Sequence, residues 1–342
     1  MTARIGNTGA ASSSVALAMD WGGTWARAAV IDRQGAILWQ DRVSNRPGAF
    51  QDQLVETAGR LLVTAKEWAG LRPIAGVGIA LAGSIDAASD MLLSSPNLPA
   101  LNGVSLPARW EPKLGVPVWV GNDANLAALG EYSYGAGRPA RPGDPVARTL
   151  VFLTFSTGVG AGIVDRGTVF TGAAGVAGEV GHMTIDSRAD APPCACGNSG
   201  CLESLASGTA IGRAAQARLA DATPGSPLHQ AHEANATLDG AAVFAAAAQG
   251  DPVAREVIDA AVGAIVVGLG NVLNIFNPDV VVMGGGVTQG LLDLGLLGHI
   301  EDATRRRAMS SGHRAFRLAP ATFGDSQGLI GAASLVWVET GS

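Results

Sequence analysis

Residues 15–31 read VALAMDWGGTWARAAVI. An apolar run, the turn Asp20-Trp21-Gly22-Gly23-Thr24 and a second apolar run predict strand, turn, strand. Two glycines let a backbone come close to a ligand. Thr24 adds a hydroxyl where N–H groups converge, which suits phosphate oxygens. Asp20, at the strand end, is a candidate for a hydrated Mg²⁺, an ion that favours carboxylates plus water. An ordinary hairpin with an acidic turn would read the same way. The pattern recurs at residues 149–164, TLVFLTFSTGVGAGIV, where Ser156-Thr157-Gly158-Val159-Gly160 is the turn. Two such hairpins far apart predict a duplicated α/β fold, with one turn from each half gripping a polyphosphate.

Strands and helices alternate around these hairpins. Spacing predicts a helix over 50–69 and a strand over 74–80 that runs into Leu81-Ala82-Gly83. Asn97, in Ser95-Pro96-Asn97-Leu98-Pro99, is either a turn residue or an amide that reads a hydroxylated ligand. A strand over 116–120 hands over to a helix over 126–132 through Gly121-Asn122-Asp123-Ala124-Asn125. Ligands of open α/β sheets gather beyond such strand ends. Asp123 is therefore a candidate general base, or else a helix N-cap. Residues 203–219 and 239–249 read as helices, with Pro224 and Pro227 marking a loop between them. A long helix over 251–274 would break near Gly268 or Gly270. A strand over 279–283 leads to Gly284-Gly285-Gly286, which either admits a ring or ribose against bare backbone or opens a helix. A last strand over 318–323 and a closing helix over 327–338 complete the chain.

Residues 179–203 read EVGHMTIDSRADAPPCACGNSGCLE and hold all three cysteines of the protein. Cys194, Cys196 and Cys201, with His182 upstream, supply a Cys₃His set for tetrahedral Zn²⁺. Four protein ligands leave no open position, so the metal would be structural. Gly197 and Gly200 permit the tight loop.

The 342 residues suffice for two domains with separate cores. A net charge of −6 offers no footprint for nucleic acid and no polybasic membrane patch. The basic run Arg305-Arg306-Arg307 reads as a solvated helix face. Three cysteines make no disulfide framework, and their clustering points to a reducing compartment, the cytoplasm. Residues 1–14 are expected to be a frayed start and not a signal peptide. The longest apolar run, 262–276, is interrupted by glycines and asparagines and reads as a buried helix, not a membrane span.

Taken together, Asp20-x-Gly-Gly-Thr24, Asn122-Asp123-Ala-Asn125, Ser156-Thr-Gly-Val-Gly160, Gly178-Glu-x-Gly-His182, Cys194-x-Cys-Gly-x-x-Gly-Cys-x-Glu203 and Gly284-Gly-Gly286 resemble the ROK family of bacterial sugar kinases and repressors, from about Val15 onward. The resemblance implies an actin/hexokinase-like fold of two ribonuclease-H-like domains with an interdomain cleft. The small domain would span 15–121, joined by helix 327–340. The large one would span 122–326 and carry the zinc loop 182–201. It further implies ATP-dependent phosphorylation of a hexose at the 6-hydroxyl, with domain closure excluding water. Asp123 would be the general base. Asn97, Asn122, Glu179, His182 and Glu203 would line the sugar, with backbone contacts from Gly83. His182 would serve both zinc and sugar. Asp20, Gly22, Gly23, Thr24, Thr157, Gly158, Gly284, Gly285 and Gly286 would serve ATP and Mg²⁺. Glucose is the acceptor expected from family frequency, N-acetylglucosamine or N-acetylmannosamine the next, and a homodimer the expected assembly.

Two departures stand out: Trp21 fills a turn position where smaller or polar residues are common, and Leu81-Ala82-Gly83 replaces a frequent Pro-Gly pair. The family's repressors carry an N-terminal DNA-binding module; about 14 residues before the first strand leave no room for one, so a kinase is expected. Polyphosphate as donor would call for a basic channel, which 23 Lys+Arg against 29 Asp+Glu does not suggest.

Overall fold

The computed structural model describes residues 14–45, 48–86, 89–139, 145–235 and 237–341. Apart from Ser14, the frayed start expected over 1–14 lies outside the described residues. The chain opens with β1 (Val15–Trp21), β2 (Trp25–Asp32), β3 (Ile37–Ser44), α1 (Gln51–Ala69), β4 (Ile74–Leu81), β5 (Ser84–Asp86), β6 (Met91–Ser94), α2 (Leu106–Leu114), β7 (Val118–Asn122) and α3 (Asp123–Tyr134). It continues with β8 (Thr149–Phe155), β9 (Val159–Asp165), β10 (Thr168–Val169), α4 (Leu202–Ala206), α5 (Gly208–Ala217), α6 (Pro227–Ala234), α7 (Gly240–Ala248) and α8 (Pro252–Phe276). It ends with β11 (Val280–Gly284), α9 (Gly286–Asp293), α10 (Leu297–Arg307), β12 (Arg317–Pro320) and α11 (Gln327–Glu339).

These elements form two compact units. The first takes the described residues up to Tyr134, Gly172–Gly175, and those from Asp325 on; the second takes the remainder. The first sheet has the order β3-β2-β1-β4-β7 and the second β10-β9-β8-β11-β12. In each, three antiparallel strands are followed by two parallel ones. The duplication suggested by the two hairpins is thus a duplication of the whole sheet. The division falls after Tyr134, beyond the 121–122 boundary expected, because α3 packs against α11 within the first unit.

The core of the first unit joins β1, β2, β4, α1 and α2 through Leu17, Met19, Val30, Leu62, Ile79 and Trp110. Trp21 is buried there and stacks on Trp110 at 5.7 Å between ring centres. The second core is built around α8. That helix is long and apolar enough to cross a membrane by length and composition. Here Ile258, Ile265, Leu269, Val272 and Leu273 are buried among the strands and helices of its unit.

Several local expectations are corrected. Helix α8 does not break at Gly268 or Gly270. A Cβ on Gly268 would lie 2.8 Å from Leu202 Cδ2, so this glycine serves close packing against α4. Residues 203–219 form two helices, because Ser207 is extended (ψ 162°) and its Oγ accepts the Ala210 N–H as a new N-cap. Pro227 opens α6 behind the Ser226 cap and does not mark a loop. The strand expected at 116–120 runs over Val118–Asn122, since Pro117 has no N–H for the ladder. Strand β3, hairpin β5–β6 and helix α2 were not expected, although Leu106, Trp110 and Leu114 recur at helical spacing and form the buried face of α2.

Candidate active site

In the first unit the turn between β1 and β2 is held by a residue the sequence did not single out. Asn45 Nδ2 donates to the carbonyls of Gly22 (2.7 Å) and Gly23 (2.9 Å), and its backbone N–H donates to Thr24 O (2.8 Å). Asn45 Oδ1 accepts the Trp21 indole N–H at 3.1 Å, which explains Trp21: its ring fills the core while its N–H orients the clamp. Gly23 and Thr24 stay exposed, with the turn's backbone fixed. The 95–99 segment packs on it; a Cβ on Gly23 would lie 3.3 Å from Asn97 O. Asn97 itself is exposed, and Ser95 Oγ ties the segment by donating to Ala82 O (2.7 Å) and accepting the Leu98 N–H (3.1 Å).

Asp20, next to last in β1, faces Arg27, its register partner on β2, at 3.6 Å. Burial pushes its carboxyl up to about 6; Arg27 opposes the shift, while the charges of Asp123 and Asp325 add to it. Arg27 also donates to Asp325 O at 2.7 Å. A buried carboxylate whose charge is disfavoured by neighbouring carboxylates is a place where a cation lowers the energy, so Asp20 fits the Mg²⁺ that accompanies ATP.

Asp123 is not the cap of α3. Asn122 Oδ1 accepts the N–H groups of Ala124 (3.0 Å) and Asn125 (3.1 Å), and its Nδ2 donates to Gly83 O at 3.1 Å. Asn122 therefore spends its amide oxygen on the helix start and ties that start to Gly83. Its expected contact with sugar can come only from a remaining N–H. Asp123 is left exposed in the first turn. Loss of hydration among surrounding protein atoms pushes its carboxyl above the usual range, while the Ala124 N–H (2.9 Å) pulls the other way. Its openness to solvent limits the shift. A carboxylate so placed can accept a proton from a hydroxyl.

In the second unit, one ligand atom from each of His182, Cys194, Cys196 and Cys201 lies within 4.8 Å of the others. The Sγ atoms of Cys196 and Cys201 are 3.7 Å apart, and Cys194 Sγ is 3.5 Å from His182 Nδ1. Tetrahedral Zn²⁺ with bonds of about 2.3 Å to sulfur and 2.0–2.1 Å to nitrogen sets these edges at roughly 3.8 and 3.6 Å. Burial pushes the Cys201 thiol up to about 12, so a thiolate there needs a cation beside it. The donor set fits zinc. The opposite ring nitrogen, Nε2, faces Glu179 Oε2 at 3.8 Å. The loop is closed by Cys194 N–H to Asn198 O (2.8 Å) and by the Ile185 and Asp186 N–H groups on Gly200 O.

The turn between β8 and β9 lies beside this loop. Glu203 Oε2 accepts the Val159 N–H at 3.0 Å, and Glu203 Oε1 is 3.8 Å from Cys194 Sγ. The Gly208 N–H donates to Ser156 O (2.7 Å) and Thr209 Oγ1 to Thr157 O (2.8 Å), so the start of α5 adjoins the turn. A pocket of about 900 Å³ opens here, lined among others by Thr157, Thr209, Arg213, Asp239, Phe244 and Gly286. Thr209, Arg213, Asp239 and Phe244 were not expected here, because they belong to no motif. Of its two expected roles, the triple glycine opens a helix: Gly286 begins α9 and lines the pocket, while Gly285, at φ 88°, sits where a Cβ would lie 2.3 Å from Phe155 O.

The first unit thus holds Asp20, Gly22, Gly23, Thr24, Gly83, Asn97, Asn122 and Asp123. The second holds Thr157, Gly158, Glu179, His182, Glu203, Gly284, Gly285, Gly286 and the three cysteines. This fold and these residues define a two-unit α/β protein with a Gly/Thr hairpin turn in each half. A sequence model of the ROK family matches residues 16–339, and the chain belongs to that family. It is 30% identical to a glucokinase of Thermotoga maritima over 94% of this chain and 96% of the relative. It is 32% identical to a xylose repressor of Caldicellulosiruptor bescii over 73% of this chain but 60% of the repressor. The structure of a ROK glucokinase from Streptomyces griseus in complex with glucose and AMPPNP superposes with a TM-score of 0.73 at 31% identity, covering 94% of this chain and 99% of that one. The chain therefore has the actin/hexokinase-like fold.

Proposed function

We propose that the protein is an ATP-dependent sugar kinase that phosphorylates a hexose, glucose first, at its 6-hydroxyl. The observation that carries this reading is the division of labour at the end of β7. Asn122 caps the helix, and the adjacent carboxylate of Asp123, with the Ala124 N–H on one oxygen, stays exposed just past the end of the strand. The full-length match to a glucokinase and the superposition on one bound to glucose and AMPPNP support it.

In this reading Asp123 takes the proton of the attacking hydroxyl as it adds to the γ-phosphoryl group. Asn97, Glu179, His182 and Glu203 hold the acceptor's other hydroxyls, with Gly83 O and the remaining Asn122 N–H beside them. The turns at Gly22–Thr24 and Thr157–Gly158 bind phosphate oxygens through backbone N–H groups, and the pocket beside Gly286 takes the nucleoside. Bound Mg²⁺ would offset the charge of the β- and γ-phosphates, with Asp20 holding it. Zinc on His182, Cys194, Cys196 and Cys201 would be structural and would keep Glu203 and the His182 ring in place. The ligand thiols suit a reducing compartment such as the cytoplasm, and a homodimer is the assembly proposed from family likeness.

A coupled ADP-release assay over glucose, mannose, N-acetylglucosamine and N-acetylmannosamine tests the reading. ADP release highest with glucose supports it in full; preference for an N-acetylhexosamine moves the acceptor and keeps the class. The likeness to a repressor motivates a second reading, a sugar-responsive regulator. No turnover with any sugar, together with an electrophoretic shift of DNA flanking its own gene, would favour that instead.

A further inference from the structure

Every contact just described that holds the second phosphate turn comes from the polypeptide around the metal loop. Glu203 Oε2 takes the Val159 N–H, Gly208 and Thr209 hold the carbonyls of Ser156 and Thr157, and Gly181 lies under Val159 O, where a Cβ would stand 2.1 Å away. Gly158 backs directly onto the same carboxylate. A Cβ there would lie 2.6 Å from Glu203 Oε2, so the turn and the carboxylate can occupy these places together only with glycine at 158. The other oxygen, Oε1, points to the Cys194 side of the loop.

We propose that Glu203 is a positioning residue that couples acceptor binding to nucleotide binding: one carboxylate holds the Val159 N–H of the phosphate turn and receives the sugar's hydroxyls. This rests on the proposed kinase function. A carboxylate has about four acceptor positions, so sugar hydroxyls add to the Val159 bond without replacing it. A sugar bound on Glu203 fixes the side-chain rotamer, and with it the turn. The nucleotide then meets a turn already ordered, at lower entropic cost. By linkage, nucleotide must tighten sugar binding by the same factor.

The test is a coupling measurement. The Kd of the preferred sugar is measured calorimetrically without nucleotide and with saturating Mg²⁺–AMPPNP, for the wild type, Gly158→Ala and Glu203→Gln. The wild type is expected to bind sugar at least about five-fold more tightly with AMPPNP, within the usual range of site coupling. In Gly158→Ala the added methyl displaces the carboxylate, and the ratio of the two Kd values should fall to within about two-fold of one, whatever each Kd becomes. Glu203→Gln, which keeps the shape and loses the charge, should lower the ratio as well, so the test survives if Gly158→Ala does not fold. Zinc content measured on the same samples separates loss of coupling from loss of the metal loop. A wild-type ratio near one, or an unchanged ratio in a folded, zinc-loaded variant, overturns the proposal. Absence of phosphorylation for every sugar in the panel would instead sink the kinase reading itself.

Discussion

Gly328, in the first turn of the C-terminal helix, stands directly against Asp20, next to last in the first strand. A Cβ on Gly328 would lie 2.6 Å from Asp20 Cγ and 3.0 Å from its Cβ. The two are brought together because α11 packs on β1 and β4. Gly328→Ala should push the Asp20 carboxylate out of place without touching any substrate. Displacements of about 1 Å near reacting groups cost up to roughly a hundred-fold, so a ten- to hundred-fold fall in kcat/KM for Mg²⁺–ATP is expected. Steady-state kinetics at fixed sugar and varied Mg²⁺–ATP would show it.

The raised pKa of Asp20 makes a stability prediction. The folded chain binds this proton more tightly than the unfolded one, with the carboxyl moving from 3.8 to about 6. The contribution of this group is therefore full below pH 3.8, declines as pH rises towards 6, and is lost above it. The total is at most about 3 kcal/mol. Other carboxylates titrate in the same range, so the difference between wild type and Asp20→Asn is the quantity to follow. In denaturant melts without ligand, wild type should lose ground to Asp20→Asn between pH 4 and 6 and hold a constant gap above. A pH-independent gap would refute the assignment.

Asp123→Asn keeps the shape of the helix start, since Asn122 supplies the cap. Sugar affinity should stay within about three-fold, while kcat falls by a factor of roughly 10² to 10⁴, the usual worth of a positioned general base. Calorimetry and single-turnover rates on the same preparation separate the two, and a near wild-type rate would remove Asp123 from the mechanism.

The metal set predicts a joint loss. Cys196→Ser, or chelation of the wild type, should release about one zinc per chain, lower the melting temperature and weaken sugar binding together. Elemental analysis, a thermal scan and a sugar titration would be compared. A fall in kcat with KM and stability unchanged would mean the metal is not structural.

Asp251 is almost fully buried and starts two helices at once: Oδ1 accepts the Ala254 N–H (3.0 Å) at the head of α8 and Oδ2 the Leu228 N–H (3.0 Å) in α6. Asp251→Ala should cost about 2–4 kcal/mol, a cap plus a buried N–H left unpaired. Urea unfolding measures this directly.

Much of this was legible in the residues. The two Gly/Thr hairpins announced a duplicated sheet, and the spacing of His182, Cys194, Cys196 and Cys201 announced one metal set. Both are local patterns, in which neighbours along the chain remain neighbours in space. Helix ends were less legible: Ser207 breaks a run that periodicity alone makes continuous, and Gly268 does not break one it seemed placed to break. Those outcomes depend on what each residue meets, the turn at Ser156 in one case and the side chain of Leu202 in the other.

By itself, then, the sequence determined the two Gly/Thr turns, a Cys₃His set able to hold a metal and a carboxylate at a strand end. Only the tertiary structure decided how they are held. Asn45 reaches the first turn from 23 positions away, and Glu203 reaches the second from 44. Asn122 takes the capping task that would otherwise have occupied Asp123. Side-chain to backbone bonds of this kind follow from packing between distant elements and leave no periodic trace, so no single stretch of the chain encodes them.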